Sequence, residues 1–224
     1  LHARFRDELL QRAGKLRWYQ SVSAGVEKLL TPAFVDSDVI LTSASGNHPI
    51  TVSEQAFALL LALTRGIVYC FGENSLLDTW QRGSCVELCG RIMGLLGLGN
   101  VGREIARKAA AFGMTVRGFD TRPVFVPYVH ELYLMDQLDE FFTGLDVLVV
   151  AAASTDKTKG MVNRERISLM NQGSYLINIA RGPLVVERDL VEALKHGPLA
   201  GAGLDVFEQE PLPADSELRR LRNV

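Results

Sequence analysis

From Arg91 onward, short apolar runs alternate with segments whose apolar positions recur every three or four residues. The runs, predicted as strands, cover 92–96, 115–119, 147–150, 175–179 and 202–206. The segments between them, predicted as helices, cover 101–112, 136–142, 163–170 and 187–195. Strands that are apolar on both faces and separated by helices specify a parallel sheet covered on both sides. The expected fold for this part is therefore a doubly wound α/β domain.

The chain before Arg91 is patterned differently. Two short apolar runs, 16–22 and 39–43, each lead into small residues, and a brief amphipathic segment at 26–30 lies between them. Thr51 and Glu54 form a T-x-x-E capping box, which predicts the head of a long helix. Phe57, Leu59, Leu60, Leu61 and Leu63 spread round its circumference, which predicts burial on all sides, as between two packed domains. A less regular stretch with Trp80 follows at 71–88, and the domain boundary is expected near Leu88. Three parts result: a partial domain at 1–50, a connecting helix and arm at 51–88, and the α/β domain at 89–224.

Composition narrows the functional classes. The 224 residues are 47% hydrophobic, enough for one substantial core or for one domain and part of another. The formal net charge is −2, with Lys and Arg scattered among Asp and Glu, so nucleic acid is not an expected partner. The longest apolar run is bracketed by Glu54 and Arg65, too close together for a membrane span. The charged first ten residues do not read as a signal peptide, and a cytoplasmic protein is expected. Cys85 and Cys89 lack the second ligand pair that zinc needs, so no metal is expected.

Directly after the 92–96 run stands G-L-G-N-V-G, with Gly97, Gly99 and Gly102 as its glycines. In the pattern strand–glycines–helix, the first glycine permits a sharp turn and the second lets a pyrophosphate approach the backbone. The third lets helix and strand pack closely. The N–H groups and dipole of the following helix favour phosphate, which marks Asn100 and Val101 as binding residues too. Asp120 lies 18 residues beyond Gly102, at the end of the next strand, where a carboxylate accepts hydrogen bonds from the adenosine ribose. Its charge repels a 2′-phosphate, so NAD is expected in preference to NADP, with Arg122 partly offsetting the repulsion. The expected fold is thus a Rossmann-like dinucleotide-binding domain.

The segments L-I-N-I-A-R-G-P-L-V and A-G-A-G-L-D-V-F-E-Q-E-P-L-P, within 176–213, resemble the signature of the D-isomer-specific 2-hydroxyacid dehydrogenases. The likeness extends from S-V-S-A-G-V near the start through the glycine loop to the last residue. It implies an NAD-dependent oxidoreductase that moves a hydride reversibly between nicotinamide and C2 of a small D-2-hydroxy or 2-oxo acid. By resemblance, residues 1–50 are part of a smaller, flavodoxin-like substrate domain, and the molecule is a homodimer that pairs through 71–88.

The resemblance also assigns roles. Arg181 grips the substrate's carboxylate and keto oxygen, as a planar guanidinium at the C-terminal end of a central strand can. Glu210 pairs with a catalytic histidine, Asp205 contacts the nicotinamide carboxamide, and Ala152 and Ile179 line the cofactor. Ser23, Ala24 and Gly25 form a small-residue loop whose amides supply a second grip on the carboxylate.

The sequence departs from the family's pattern in two ways. The histidine is expected beyond Val224, in a chain cut short, because His2, His48, His130 and His196 stand elsewhere. Ala152 and Ala153 replace the usual polar residue and proline. An alternative class uses the same domain as an NAD-sensing scaffold of the corepressor type with little catalysis, and fold alone does not separate the two.

Overall fold

The computed structural model describes residues 6–71 and 85–224, and the chain divides into two compact units, Leu1–His48 and Pro49–Val224. The small unit contains helix α1 (Arg6–Arg12), strand β1 (Trp18–Gln20), a 3-10 turn at Glu27–Leu29, helix α2 (Pro32–Val35) and strand β2 (Ile40–Thr42). The two strands pair in parallel, with Trp18 opposite Ile40 and Gln20 opposite Thr42. They are shorter than the apolar runs that predict them. Thr31 caps α2 by accepting the Phe34 N–H at 3.3 Å, and Pro32 follows at the first helical position, where no N–H is needed. Phe34 is thereby buried, edge-on to Tyr19 at 6.2 Å.

The large unit opens with α3 (Pro49–Thr64) and α4 (Ile67–Phe71). It continues through β3 (Ile92–Leu96), α5 (Asn100–Ala111), β4 (Thr115–Phe119), β5 (Glu131–Tyr133), α6 (Leu138–Phe142) and β6 (Val147–Val150). It closes with α7 (Arg164–Ile167), β7 (Ser174–Asn178), α8 (Glu187–His196) and β8 (Leu199–Leu204). The six strands β3 to β8 form one parallel sheet in the order β5-β4-β3-β6-β7-β8. The predicted α/β architecture is therefore present, with β3, β4 and β6 at the predicted bounds.

The pleat sends alternate side chains to opposite faces. Val147 and Val149 of β6 join the core beneath α3 and α5, with Phe57, Leu60, Ile105 and Ala109. Leu148 and Val150 join the other core, with Phe141, Phe142, Leu190 and Leu194 of α6 and α8. Burial of each such side chain contributes roughly 1.5–3 kcal/mol. Both faces are closed, as a parallel sheet requires.

Three local expectations are corrected. Helix α3 starts at Pro49, so Thr51 lies inside it and is not its cap; proline at the first turn presets φ and loses no hydrogen bond. Burial around that helix is one-sided within its unit: Ser53, Ala56, Phe57, Leu60 and Thr64 are buried, while Glu54, Gln55 and Ala58 are exposed. The segment predicted as one helix at 136–142 begins as a 3-10 turn, Met135–Gln137, before α6. Trp80 and most of the predicted pairing arm lie outside the described residues.

The edge strand β5 has no counterpart in the sequence reading, because three residues cannot display a period. It is clasped to β4 by a two-way bond: His130 N–H donates to the Val116 carbonyl at 2.8 Å, and Val116 N–H donates to His130 Nδ1 at 3.0 Å. Tyr133 Oη donates to Glu131 at 2.6 Å, and Arg117 Nε lies 2.9 Å from the same carboxylate. The tyrosine hydroxyl first, and the guanidinium with it, hold Glu131 below the usual carboxylate range against the effect of burial.

A charged clasp joins α3 to α5. Lys108 Nζ donates to Ser53 Oγ at 2.9 Å and to Glu104 at 2.7 Å, and Arg107 grips the same carboxylate. Hydrogen bonds from Arg107 and then Lys108 lower Glu104 from the ordinary value of 4.5 to about 2. A folded-state value below the unfolded one gives stability that is complete above pH 4.5 and fades as pH falls toward 2. In acid titrations of Glu104→Gln, the stability gap between wild type and variant should therefore close across that window. A gap that stays constant down to pH 2 would contradict the clasp.

Candidate functional site

In a parallel sheet all strand C-termini lie along one edge. The chain runs outward from β3 through β4 to β5 on one side, and from β6 through β7 to β8 on the other. The crevice between β3 and β6 is thus the topological switch point, where open α/β sheets bind ligands.

The glycine turn closes β3 at this point. Gly97 adopts φ +104°, the left-handed region that side chains avoid. A Cβ there would also lie 2.7 Å from Ala152 Cα, so the turn packs against the chain leaving β6. At Gly102 a Cβ would stand 2.0 Å from the Gly97 carbonyl oxygen, so helix and turn meet backbone to backbone. Gly99 differs: a Cβ there would meet nothing within 4 Å, which leaves open space over the N-cap of α5. The amides of Asn100, Val101 and Gly102, in the first turn, have no helical acceptor. Two glycines are thus spent on packing and one on an open cradle, and this fits a dinucleotide pyrophosphate.

Asp120 follows β4 as predicted, and the structure adds a function the sequence did not reveal. Its Oδ2 accepts the Leu98 N–H at 3.0 Å, inside the glycine turn, while Oδ1 accepts the Arg122 N–H at 3.4 Å. The carboxylate is therefore tied to the glycine turn by main-chain donors.

On the other side of the switch point, Asn178 organises the loop after β7. It is 1% exposed; its Oδ1 accepts the Ala180 N–H at 3.1 Å, and its Nδ2 donates to the Arg181 carbonyl at 3.1 Å. Its own carbonyl accepts the Asp205 N–H at 3.0 Å, which joins the ends of β7 and β8. Arg181 is exposed and extended, with Nη1 donating to the Ala180 carbonyl at 2.7 Å. Ile179 is buried and Ala152 half-buried, both adjoining strand ends along this edge.

Gly182 is where the chain beyond β8 crosses over. A Cβ there would lie 1.9 Å from both the carbonyl carbon and oxygen of Phe207. Past that crossing, Glu208 accepts the Glu187 N–H at 3.0 Å and Glu210 accepts the Phe207 N–H at 3.1 Å. The close approach brings Arg181 and the Asp205–Glu210 loop together. Asp205 is further held by Gln55 of α3, whose Nε2 donates to Oδ1 at 3.1 Å. The sequence marked Gln55 only as a helical position, since nothing in its spacing signals a partner 150 residues away.

In the small unit, Ser23, Ala24 and Gly25 follow β1 in an open loop. Ser21 Oγ accepts the Ser23 N–H at 3.1 Å, and the Ser23 carbonyl accepts the Ala44 N–H at 3.2 Å. Among the described residues no cluster of His, Cys, Asp and Glu could hold a metal ion, and Cys70, Cys85 and Cys89 form no disulfide. No described helix is long and apolar enough to cross a membrane.

A doubly wound sheet, a glycine cradle at its switch point and an acid after the second strand define the class: a dinucleotide-binding α/β domain. Residues 57–224 match the model of the D-isomer specific 2-hydroxyacid dehydrogenase, NAD binding domain, and the chain belongs to that family. It is 33% identical over 220 residues to D-3-phosphoglycerate dehydrogenase of Methanocaldococcus jannaschii, covering 97% of this chain and 42% of that protein. Glyoxylate/hydroxypyruvate reductase B of Erwinia tasmaniensis is 34% identical over 231 residues, with 97% and 69% covered. The D-isomer specific 2-hydroxyacid dehydrogenase of Xanthobacter autotrophicus Py2, solved with NADPH and MES, superposes with a TM-score of 0.86 at 31% identity. That match covers 97% of this chain and 69% of the solved one. D-Lactate dehydrogenase of Aquifex aeolicus, solved with NAD and lactic acid, gives 0.82 at 30% identity, with 97% and 70% covered. The chain thus spans well under half of the phosphoglycerate dehydrogenase it matches.

Proposed function

We propose that this chain serves NAD-dependent, reversible hydride transfer at C2 of a small D-2-hydroxy or 2-oxo acid. The observation that carries the reading is the placement of Arg181 and Asp205 on the same sheet edge as the glycine cradle, across the switch point from Asp120. Three strand spacings separate β4 from β7, roughly 14 Å. Asp120 therefore suits the adenosine end, and Arg181 and Asp205 suit the nicotinamide end.

When bound, the nicotinamide ring supplies or accepts the hydride. The chain's residues do the rest. The amides after Gly99 hold the pyrophosphate, with Ala152 and Ile179 flanking the cofactor. Asp205 accepts from the carboxamide N–H. Arg181 orients the 2-oxo acid by paired hydrogen bonds and stabilises negative charge developing on the keto oxygen. Ser23, Ala24 and Gly25 add main-chain donors for the substrate carboxylate. Glu210 is the carboxylate that would pair with a catalytic histidine and keep it protonated, so that a proton reaches the oxygen at neutral pH.

In the full-length protein, NADH oxidation on adding glyoxylate, hydroxypyruvate or other 2-oxo acids tests the reading directly. Silence across a broad panel would remove it and favour the corepressor-type scaffold, which the comparisons do not support. The proposed homodimer, pairing through 71–88, predicts twice the chain mass in sedimentation. A cytoplasmic location completes the proposal.

NAD is the proposed cofactor, since both oxygens of Asp120 are engaged by main-chain donors and its charge cannot swing away from a 2′-phosphate. Asp120→Asn keeps an acceptor and removes the charge. It should narrow the preference for NADH over NADPH by roughly tenfold, read as the ratio of kcat/KM values. An unchanged ratio would discard the electrostatic argument.

A further inference from the structure

We infer that Gln55 is a positioning residue for the nicotinamide end of the site, fixing the Asp205 carboxylate so that one oxygen is engaged and the other accepts from the carboxamide N–H. The inference rests on the role proposed above for Asp205.

The pairing follows from how α3 lies along β8. A Cβ on Gly201 would stand 3.1 Å from Leu63, and a Cβ on Gly203 would stand 2.7 Å from Leu59. Two residues along a strand advance about 6.6 Å, and four residues along a helix advance about 6 Å. Helix and strand therefore keep step in opposite directions, Leu63 over Gly201 and Leu59 over Gly203. The next step brings Gln55 to Asp205, and there the contact changes from apolar packing to an amide-to-carboxylate hydrogen bond of 3.1 Å. The register thus brings Gln55 within reach of Asp205, with both side chains at the surface.

The chemistry explains why an amide stands there. The terminal torsion of an aspartate is soft and roughly two-fold, so an untethered carboxylate samples many planes. The Asp205 main chain is already fixed by its N–H bond to the Asn178 carbonyl at 3.0 Å. A donor on Oδ1 then sets the plane of the carboxylate. Glutamine supplies that donor without a charge of its own, so the acceptor strength of the carboxylate is not neutralised by a cation. A site that offers such an acceptor discriminates against a ligand lacking the matching N–H.

The test measures binding rather than turnover. Calorimetric Kd values of the full-length protein are compared for NAD and for its 3-acetylpyridine analogue, in which a methyl replaces the carboxamide NH2. Wild type should prefer NAD. Gln55→Leu should erode that preference by roughly three- to tenfold, leaving the Kd of the analogue and the melting temperature nearly unchanged. Gln55→Glu, which faces Asp205 with a like charge, should abolish the preference. Equal weakening toward both dinucleotides in Gln55→Leu would mean a merely structural part and overturn the inference. Asp205→Ala separates the two levels. If it removes the preference while Gln55→Leu does not, the role of Gln55 alone falls. If Asp205→Ala leaves the preference intact, the reading of Asp205 falls and the inference with it.

Discussion

Replacing Arg181 by alanine is expected to lower kcat/KM for a 2-oxo acid by roughly 10²–10³-fold in the full-length protein, while the Kd of NADH changes much less. The magnitude is that of removing one preorganised donor from a developing oxyanion. The preorganisation is visible around the residue. Asn178, almost wholly buried, accepts from Ala180 and donates to the Arg181 carbonyl, so the main chain that carries the guanidinium is rigid. A donor carried on a main chain held in place rearranges less when charge appears on the substrate, and its contribution is therefore expected mainly in the transition state. Arg181→Lys should recover only part of the loss, because an ammonium restores the charge without the planar fork. Steady-state kinetics of both variants with one 2-oxo acid provide the check. Near-normal kcat/KM in Arg181→Ala would take the residue out of the mechanism.

The second large effect is expected from Gly182→Ala, one position further on. The added methyl would sit 1.9 Å from the Phe207 carbonyl group and 2.3 Å from the Glu208 nitrogen. These are main-chain atoms that cannot rotate aside as a side chain would. Relief requires moving the loop that carries Asp205, Glu208 and Glu210, which strains the Glu208 bond to Glu187 and the Glu210 bond to Phe207. Overpacking of a tight interior costs about 1–3 kcal/mol, and a clash with backbone belongs at the upper end. For a chain of this size about 3 kcal/mol corresponds to a melting temperature lower by roughly 6–12 °C. Activity should fall further than stability accounts for, since the loop opposite Arg181 is displaced even in folded molecules. Thermal denaturation of Gly182→Ala beside wild type decides the matter, and a change under about 2 °C would mean the crossing yields easily.

The glycine cradle was legible because each of its requirements is local. A turn with φ +104° at Gly97 admits little but glycine, and the Gly97–Gly102 contact spans five residues. The same holds for β3 and β6, whose uninterrupted apolar runs follow from burial on both faces, whereas β4 carries Thr115 and the half-buried Arg117 among its apolar residues. The start of α3 was misplaced because T-x-x-E satisfies the capping pattern wherever it occurs. Only the competing proline two residues earlier, with its preset φ, marks the true beginning. Strand β5 was missed because its stability resides in bonds to Val116 and Arg117 of its neighbour, not in its own three residues.

What the amino-acid order determined by itself was the alternation of elements and the positions of the turns; it also marked candidates, Asp120 through the glycine fingerprint and Arg181, Asp205 and Glu210 through the family's motifs. Periodicity, capping and steric exclusion act over a few residues and can be read along a line. Only the folded molecule decided that Leu98 secures Asp120, that Asn178 stiffens Arg181, and that Gln55 reaches Asp205. The first and last of these join residues 22 and 150 positions apart. Such contacts depend on strand order and on the step of helix against strand, quantities that no local pattern contains.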